Sequence, residues 1–557
     1  MREDQGGIGT MTTTERVPDR RERWLELGLL ALTAVPVVIM VIEVLRSPLL
    51  NFLDFWSMLG NATDDDGSLH PSGLVNLHNE HPFVWPGLLF WIDIRFLGGS
   101  NQALGMAVVL AAVLMVFALN RMLPEDLDRA KRAALTMAFA FLLLSPSGLE
   151  LFGMSMNGVH GLSGYLPSVV ALLFAHRGRT VLAVVAGAVG CLGYGSAFPV
   201  WFAVALVAWL RRDRLWQVVL PAGLGVGVGV SWLLVKRAEH LPTPDKPLGA
   251  ESYLSTFAET LGSLWSSVRD VAVFGGVLTG LVVVVLVAGV LRERVADGSA
   301  RRAAGWAGLG LYAVLVAGMV SLSRINLATQ LGSTSRYAVI PALAISALLV
   351  LAVLAWKPSS GQTAFAATAV ALVTFAMGTK QADTVRANYP DQNLLAIAVR
   401  VEAPKTMTEL RLEPISALKP VRALGAYPYS ESFTLGCGAG GPELGSKVDP
   451  ARVRPMPEPG AGRPTQGHLE TGPLKGDTAI RGWAVIDHRR PACVLVVDAQ
   501  GTVVGGGITG LPRPDVAKTV GSRETRSGWR AVTGADVPGG SVLFGAGGQF
   551  YKITPAP

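Results

Sequence analysis

Charged side chains and cysteines are scarce in this chain of 557 residues. Only 16% of its residues are charged, whereas soluble globular domains have about 25%. Three cysteines are too few for a disulfide scaffold or a cysteine-rich zinc protein. Half of the residues are apolar and the mean hydropathy is +0.41, which is more apolar surface than one or two soluble cores can bury. The composition therefore predicts a polytopic α-helical membrane protein.

Apolar runs of spanning length, or nearly so, divide the first two thirds of the chain. We expect about eleven transmembrane helices, at 24–47, 102–120, 133–150, 163–176, 181–194, 197–210, 216–235, 271–291, 303–322, 338–356 and 363–378. The run at 181–210 is broken by Gly193, Gly195 and Pro199. Each half of it is short for a full span, so the helix count is least certain there.

The distribution of basic residues predicts how the helices are oriented. The net charge of +7 fits a nucleic-acid-binding protein or a membrane protein with basic loops on one side. With eleven spans, the loops on the side of the N-terminus hold about 19 Lys and Arg, and the opposite loops before residue 380 hold about 8. This bias predicts a cytoplasmic N-terminus, and we expect no nucleic-acid partner.

Three regions follow from this topology. We expect a cytoplasmic tail at 1–23, a transmembrane domain at 24–378 that includes an outward loop and an interfacial helix at 48–100, and an extracytoplasmic domain at 379–557. The richness in Ala, Val, Gly and Arg is typical of a high-GC bacterium, so the expected location is a bacterial plasma membrane, crossed many times.

The C-terminal region has a different composition from the helical part. From about 476 onward, short runs such as AIRGWAVID and ACVLVVD predict a β-rich domain, and we expect a small sandwich. Cys437 and Cys493 both fall in this region, on the expected oxidising side, so a disulfide and a pair of free thiols are both open. Trp483 and Trp529 fit either sugar stacking or, more simply, the core of the domain.

The outward loop holds the densest polar set of the membrane part. Asp54 stands in LLNFLDFW, at the outer end of the first helix. An apolar setting would destabilise its ionised form by desolvation and make it a better base, whereas the simpler interpretation is an aspartate at headgroup level. The stretch PFVWPGLLFWIDIRFLGGS after the loop is too polar to span, so we expect an amphipathic helix on the outer interface.

The same loop also contains residues of metal-binding type. His78, Glu80 and His81 could join the acidic run Asp64, Asp65 and Asp66 around Mg, Mn or Zn. The spacing fits no defined site, and DDDG is more typical of a solvated turn. HNEHP fits either substrate contact or the cap of the following helix. We expect His78, Glu80 and His81 to line a substrate site without a metal, and a divalent cation (Mg or Mn) stays the alternative.

Three stretches resemble the GT-C class of membrane glycosyltransferases. They are LLFWIDIRFLGGSNQALGM after the outward acidic loop, GYGSAFPVWFAVALVAWLRR at 193–212, and SRYAVIPALAISALL at 335–349, which is similar to the class's late Arg-Tyr-x-x-x-Pro-Ala segment. The layout is similar to that of the aminoarabinose and protein mannosyl transferases. The resemblance implies an inverting transfer of a sugar, such as arabinose or mannose, from a polyprenyl-phosphate donor to a cell-envelope glycan, lipid or protein acceptor. It also implies that Asp54 is the catalytic base. Many members have a second acidic residue beside the first, whereas Phe55 occupies that place here.

Such a reaction also needs a cation for the phosphate of the donor. Arg324 and Arg336 flank one outward loop, at the expected depth of a lipid phosphate, and arginine can grip phosphate with two hydrogen bonds. Snorkelling arginines at helix ends are the equally simple alternative. We therefore take Arg336, Arg324 and the adjacent Tyr337, with the three loop residues, as candidate substrate-binding residues.

Two other functional classes fit the composition. A transporter or lipid flippase would place ionisable residues near the membrane midplane, but only Glu43 clearly lies within a predicted span, toward its end. A non-catalytic scaffold with an extracellular glycan-binding domain is the third possibility. It predicts that Asp54, Glu80 and Arg336 lie more than about 15 Å apart, because a base and a phosphate site must lie within one sugar of each other.

Overall fold

The computed structural model describes residues 20–78, 81–238, 249–296, 300–324, 334–438 and 440–555. The protein is mostly helical, and one β-rich sheet forms its C-terminal end. The helices of the N-terminal part are α1 (Arg20–Arg46), α2 (Phe55–Ala62), α3 (Val84–Phe96), α4 (Asn101–Met122), α5 (Arg129–Leu143), α6 (Leu149–Gly153), α7 (Ser155–His176), α8 (Thr180–Cys191), α9 (Val200–Leu210), α10 (Leu215–Ala238), α11 (Ala250–Leu261), α12 (Arg269–Ala296), α13 (Arg301–Arg324), α14 (Val339–Trp356) and α15 (Ser360–Arg386).

Nine helical segments of the described chain are long and apolar enough to cross a membrane. They correspond to α1, α4, α5 continued by α6, α7, α10, α12, α13, α14, and α15 continued as far as Arg400. The other two predicted spans are α8 and α9, with 12 and 11 residues. They are separated at the expected glycines and proline, and each is shorter than the roughly 20 residues of a full span.

Capping residues set where several of these helices begin. Ser100 accepts a hydrogen bond from Gln102 N at the start of α4, and Asp128 accepts one from Lys131 N at the start of α5. Ser359 forms a reciprocal capping box with Gln362 at the start of α15. These side chains satisfy backbone N–H groups that have no partner within the helix.

Helix α7 is central to the packing of the helical part. It contacts α4, α8, α9 and α13, and most of its side chains are buried. In contrast, α1, α10 and α12 leave large apolar side chains exposed, such as Phe274 at 71%. Exposed apolar faces of this extent on long helices indicate a membrane-embedded protein.

The segment between α1 and α4 contains α2, then a short hairpin, then α3. The hairpin has two strands of two residues each, β1 (Leu77–His78) and β2 (His81–Pro82). The predicted amphipathic segment is thus a helix of 13 residues. It ends at Gly98 and Gly99, which both have positive φ, as glycine permits. The fully buried Asp93 carboxylate accepts hydrogen bonds from Ser100 N (3.2 Å) and Asn51 Nδ2 (3.3 Å). Asp93 therefore ties α3 to the segment after the C-terminal end of α1 and to the N-terminal end of α4.

The C-terminal part begins with three short helices and continues into the sheet. The helices are α16 (Tyr389–Arg400), α17 (Pro404–Glu409) and α18 (Leu418–Ala423), and α19 (Pro514–Val520) lies among the strands. The strands are β3 (Val453–Pro455), β4 (Gln466–Leu469), β5 (Ile480–Val485), β6 (Cys493–Val497), β7 (Val503–Leu511), β8 (Gly528–Thr533), β9 (Ser541–Ala546) and β10 (Gln549–Ile553). Their order is β3-β10-β9-β6-β7-β8-β5-β4, antiparallel except for the parallel pair β3 and β10.

This sheet corrects two expectations. The eight strands form one sheet and not the two sheets of a sandwich. Strands also begin at Val453 rather than near 476, because β3 and β4 come from the Pro/Gly-rich stretch and gain their order by pairing at the edges of the sheet. Trp483 and Trp529 are 7% and 1% exposed, so the core interpretation holds and sugar stacking by these residues is wrong.

Several contacts hold the C-terminal part together, and one of them attaches it to the helical part. Cys437 and Cys493 form a disulfide that anchors the chain after α18 to β6, as one of the two alternatives predicted. Lys419 pairs with Asp65 of the outward loop at 2.8 Å. Arg530 on β8 pairs with Asp391 on α16, and α16 contacts both β7 and β8.

Candidate functional site

Asp54 lies in the turn between α1 and α2. Phe55, Trp56, Met58 and Leu59 are buried and hold α2 in place, while the Asp54 side chain is 51% exposed. Its carboxylate does not cap α2 and instead faces His78, with Oδ2 3.5 Å from Nε2. The preceding Leu53 has a φ of 46°, which is strained for a leucine and common at functional sites.

The electrostatic setting of Asp54 differs from the expected one. Burial does raise the pKa of Asp54, but the hydrogen bond from His78 has the larger, opposite effect. The charges of His78, His160 and Arg336 lower the pKa further, so the net shift is downward. The expectation that desolvation dominates is therefore wrong, and Asp54 is held ionised at neutral pH.

The short hairpin brings His81 to the same region. His78 and His81 are paired residues in its register. The His81 side chain is buried, and its ring centroid lies 4.7 Å from Tyr194 and 6.4 Å from His160. A Cβ at Gly195 would lie 2.4 Å from His81 Nδ1. Glycine at this position therefore allows the imidazole to pack against the chain that connects α8 to α9.

Arg336 lies in a 3₁₀ turn, Ser335–Tyr337, at the start of α14. Its Nε is 3.2 Å from Glu150 Oε1, and its backbone N–H donates to Glu150 Oε2. Glu150 also accepts a hydrogen bond from Asn157 Nδ2 at 3.0 Å. Glu150 therefore pairs with the guanidinium and neutralises part of its charge, although Nε itself makes no hydrogen bond among the described residues.

One cavity collects most of the candidate residues. Its volume is about 40 Å³, and it is lined by Asp54, His81, Asn157, His160, Gly161, Tyr165, Tyr194, Arg336 and Tyr337. This volume is close to the roughly 30 Å³ that one water molecule occupies. The cavity therefore has room for a small group, such as a hydroxyl, between a carboxylate and a guanidinium.

Sequence reasoning missed the part of this lining that α7 provides. Asn157, His160, Gly161 and Tyr165 recur at helical spacing, so they share one face of α7. Polar residues at this period within an apolar helix are the signal that could have found them. Glu150 and Tyr194 stand alone in their segments and carry no such signal.

The other residues predicted for the site or for a metal lie outside the described part of the chain or away from the cavity. Glu80 lies outside the described residues, and so does the side chain of Arg324, the last residue of α13. The acidic run is a solvated turn: Asp66 accepts hydrogen bonds from Ser68, and Asp64 pairs with His70 at 3.0 Å. No group of three or more metal-ligating side chains occurs within the described ranges.

Comparison with known proteins identifies no relative of this chain. No family model, no curated protein and no solved structure matches this chain. The functional argument rests on the geometry of the cavity and on the chemistry of the residues around it.

A second, apolar cavity lies on the opposite side of α7. It has a volume of about 200 Å³, and Trp85 and Leu89 of α3 form one wall of it. Val159, Leu162 and Leu166 of α7 form another. The same helix therefore has a polar face toward Asp54 and an apolar face toward α3 and α4.

Proposed function

We propose that this protein is a membrane glycosyltransferase of the GT-C type, which moves a sugar from a polyprenyl-phosphate donor to an acceptor hydroxyl. The observation that carries the proposal is that Asp54 and Arg336 line one small cavity. A carboxylate and a guanidinium in one enclosed space supply the two groups that this reaction needs, a base for the hydroxyl and a positive charge for the phosphate.

The proposed step is an in-line displacement at the anomeric carbon of the sugar. Asp54 accepts the proton of the acceptor hydroxyl, and the acceptor oxygen forms a bond to that carbon from the face opposite the phosphate. The bond between the carbon and the phosphate oxygen breaks, and polyprenyl phosphate leaves with the electron pair. The configuration at the carbon is therefore inverted. Every charge in this step comes from the chain's own residues, so no divalent cation is part of the proposal.

The residues around Asp54 and Arg336 have supporting roles in this proposal. The hydrogen bond from His78 lowers the pKa of Asp54 and so makes the carboxylate a weaker base; in this proposal the role of His78 is to orient the carboxylate, which is ionised at neutral pH. Glu150 contacts Nε of Arg336, which leaves the terminal amino groups of the guanidinium for phosphate oxygens. His81 and Tyr337 line the same space, where a sugar hydroxyl or a phosphate oxygen would find hydrogen-bond partners.

The surroundings of the site also suit a lipid-linked donor. The apolar cavity between α3, α4 and α7 offers a dry surface to a prenyl chain, within one helix diameter of the polar site. The disulfide between Cys437 and Cys493 supports an oxidising location for the C-terminal part. We therefore place the reaction on the outer face of a plasma membrane, with the bilayer as a partner and a cell-envelope molecule as the acceptor.

The buried carboxylates weigh against a transporter. Among the described residues they are Glu43, Asp93 and Glu259. Glu43 pairs with Arg386 near the ends of α1 and α15, Asp93 ties α3 to its neighbours, and Glu259 lies on α11, outside the candidate spans. Alternating access usually uses ionisable groups in the middle of spans, and these lie at or beyond the ends.

The test is sugar transfer by the purified protein. Decaprenyl phosphate carrying radiolabelled arabinose or mannose is supplied as the donor, with short arabinose or mannose oligosaccharides as acceptors. Asp54→Asn keeps the size of the side chain and removes the base, so we expect transfer to fall by about 10² to 10⁴-fold. Asp65→Asn is the matched control, because Asp65 belongs to the same loop but pairs with Lys419 outside the cavity. Equal transfer by wild type and Asp54→Asn would refute the role of Asp54, and no transfer of either sugar by wild type would refute the proposal for these donors.

A further inference from the structure

A larger polar cavity lies directly beside the candidate site. Its volume is about 460 Å³, within the range of small-molecule sites. Leu53 and Ser335 line it, and each immediately precedes a residue of the small cavity, Asp54 and Arg336. Glu150, the partner of Arg336, lines it as well. The two cavities are therefore neighbours that share the same two turns of the chain.

The opposite wall of this cavity comes from the beginning of the C-terminal part. Asn388 and Gln392 lie one turn apart at the start of α16, and Arg411 follows the end of α17. Arg411 has a φ of 64°, a backbone conformation that few non-glycine residues adopt. The pair of Asp391 with Arg530 of β8 fixes α16 against the sheet, so this wall is built on rigid elements.

Gln392 supplies the observation that points to a ligand. Its side chain is 8% exposed, and its Oε1 atom is buried without a hydrogen-bond partner among the described residues. A buried acceptor without a partner destabilises the folded protein, because it loses its hydrogen bonds to water and gains none in return. The side chain lines the cavity, and because this oxygen is shielded within it, a donor group on a bound molecule would satisfy the oxygen once the amide turns toward the cavity.

The chemistry of the lining indicates the class of that molecule. Amides, hydroxyls and carboxylates dominate it, and Phe52 is the single aromatic ring among the lining residues that the structure describes. Such a surface offers many hydrogen bonds and little area for stacking a flat ring or burying a lipid chain. A molecule with many hydroxyl groups, of the size of one or two sugars, fits both the volume and the lining.

We propose that this cavity binds the sugar end of a glycan acceptor, with Gln392, Asn388 and Arg411 as its contacts. The inference rests on the proposed function, because the bound glycan would present its hydroxyl past Leu53 to Asp54. It assigns acceptor recognition to α16 and to the turn after α17, and not to the sheet. A lipid or a protein acceptor would not use this wall.

The test compares two adjacent residues of α16. Gln392→Leu removes the buried amide at similar volume, and Asn393→Leu is the matched control, since Asn393 is exposed and does not line the cavity. With the oligosaccharide acceptors and labelled decaprenyl-phosphate donors, we expect Gln392→Leu to raise the acceptor KM at least tenfold and leave the donor KM unchanged. Asn393→Leu should change neither. An unchanged acceptor KM in Gln392→Leu, with wild type active, overturns the acceptor site and leaves the proposed function intact.

A binding measurement separates the two proposals. Calorimetric titration of the same oligosaccharides into Asp54→Asn protein, with and without Gln392→Leu, does not require transfer. Loss of binding in the double variant supports the acceptor site even if no donor is turned over, in which case only the proposed function fails. Absence of oligosaccharide binding to protein with Gln392 intact overturns the acceptor site. The thermal midpoint of Gln392→Leu should be no lower than that of wild type, because the removed oxygen has no partner. A lower midpoint would show that the amide is structural and would count against the proposal.

Discussion

Asp93 gives a stability prediction that depends on pH. It is fully buried on α3, and burial raises the pKa of its carboxyl from 3.8 to about 7 against the opposing hydrogen bonds from Asn51 and Ser100. Asp93→Asn replaces the carboxyl with a neutral group of the same shape. Both oxygens of Asp93 accept N–H groups in wild type, from Asn51 and Ser100, so the new amide keeps one of these two acceptors.

The expected magnitude follows from the raised pKa. The folded protein binds the proton of Asp93 more tightly than the unfolded chain does. The contribution of this proton to the free energy of unfolding is therefore complete below pH 4 and is lost as the pH rises toward 7. Each tenfold change in proton affinity corresponds to about 1.4 kcal/mol, so ionisation in the folded state costs up to about 4 kcal/mol. Asp93→Asn should remove this pH dependence and stabilise the junction of α3 and α4 above pH 7.

Hydrogen exchange measured by mass spectrometry reports on this junction directly. Wild type and Asp93→Asn are compared at the same pH, so that the intrinsic exchange rates cancel, on peptides that cover residues 94–104. We expect the variant to exchange more slowly than wild type at pH 8, and the difference to shrink or vanish at pH 5. Equal exchange at pH 8, or a variant that exchanges faster, would refute the account of Asp93 as a carboxyl whose pKa is raised by burial.

Two further predictions concern the small cavity. His78→Phe keeps ring packing against Phe83 but removes the hydrogen bond that lowers the pKa of Asp54, so the acid limb of the pH profile of kcat/KM should move to higher pH. His70→Phe, in the acidic turn, should leave it in place, and an unmoved limb in His78→Phe would contradict the role of His78. Gly195→Ala places a methyl group 2.4 Å from His81 Nδ1 and should lower transfer about tenfold or more through displacement of the imidazole. Gly223→Ala, which meets nothing within 4 Å, is its control, and equal transfer by both variants would show that the position of His81 does not matter.

The sequence predicted the features whose cause is local. Long apolar runs in the sequence predicted the nine long helices of the described chain and the broken pair α8 and α9. Such runs are visible directly in the sequence, because a long helix that lies in a membrane needs apolar side chains along its length. The helix after the outward loop and the β-rich end were predicted for the same reason. Asp54, His81, Arg336 and Tyr337 were candidates individually, and they do line one cavity.

Features that arise from contacts distant in sequence were not predictable. Glu150 pairs with Arg336, which lies 186 positions further along the chain. The ring of His160 on α7 contacts the ring of Tyr194, which lies between α8 and α9. Strand β3 has three residues and acquires its order only by pairing with β10, near the end of the chain. The net effect on Asp54 was missed for the same reason: its apolar neighbours are visible in the sequence, but the imidazole that outweighs them is 24 residues away.

The pairing of charges around the small cavity explains how two opposite charges remain apart in so little space. Asp54 and Arg336 carry opposite charges and attract each other, and direct contact between them would close the cavity. His78 holds Asp54 from one side, and Glu150 holds Arg336 from another, so each charge is balanced by its own neighbour. A phosphate that approaches Arg336 must share the guanidinium with Glu150, and a hydroxyl that approaches Asp54 must share the carboxylate with His78. In the proposed reaction, both substrates would add hydrogen bonds to groups that are already oriented, and neither group would have to reorganise when the proton and the leaving phosphate move. In this arrangement Glu150 and His78 keep the site open and ready, although neither needs to touch the reacting atoms.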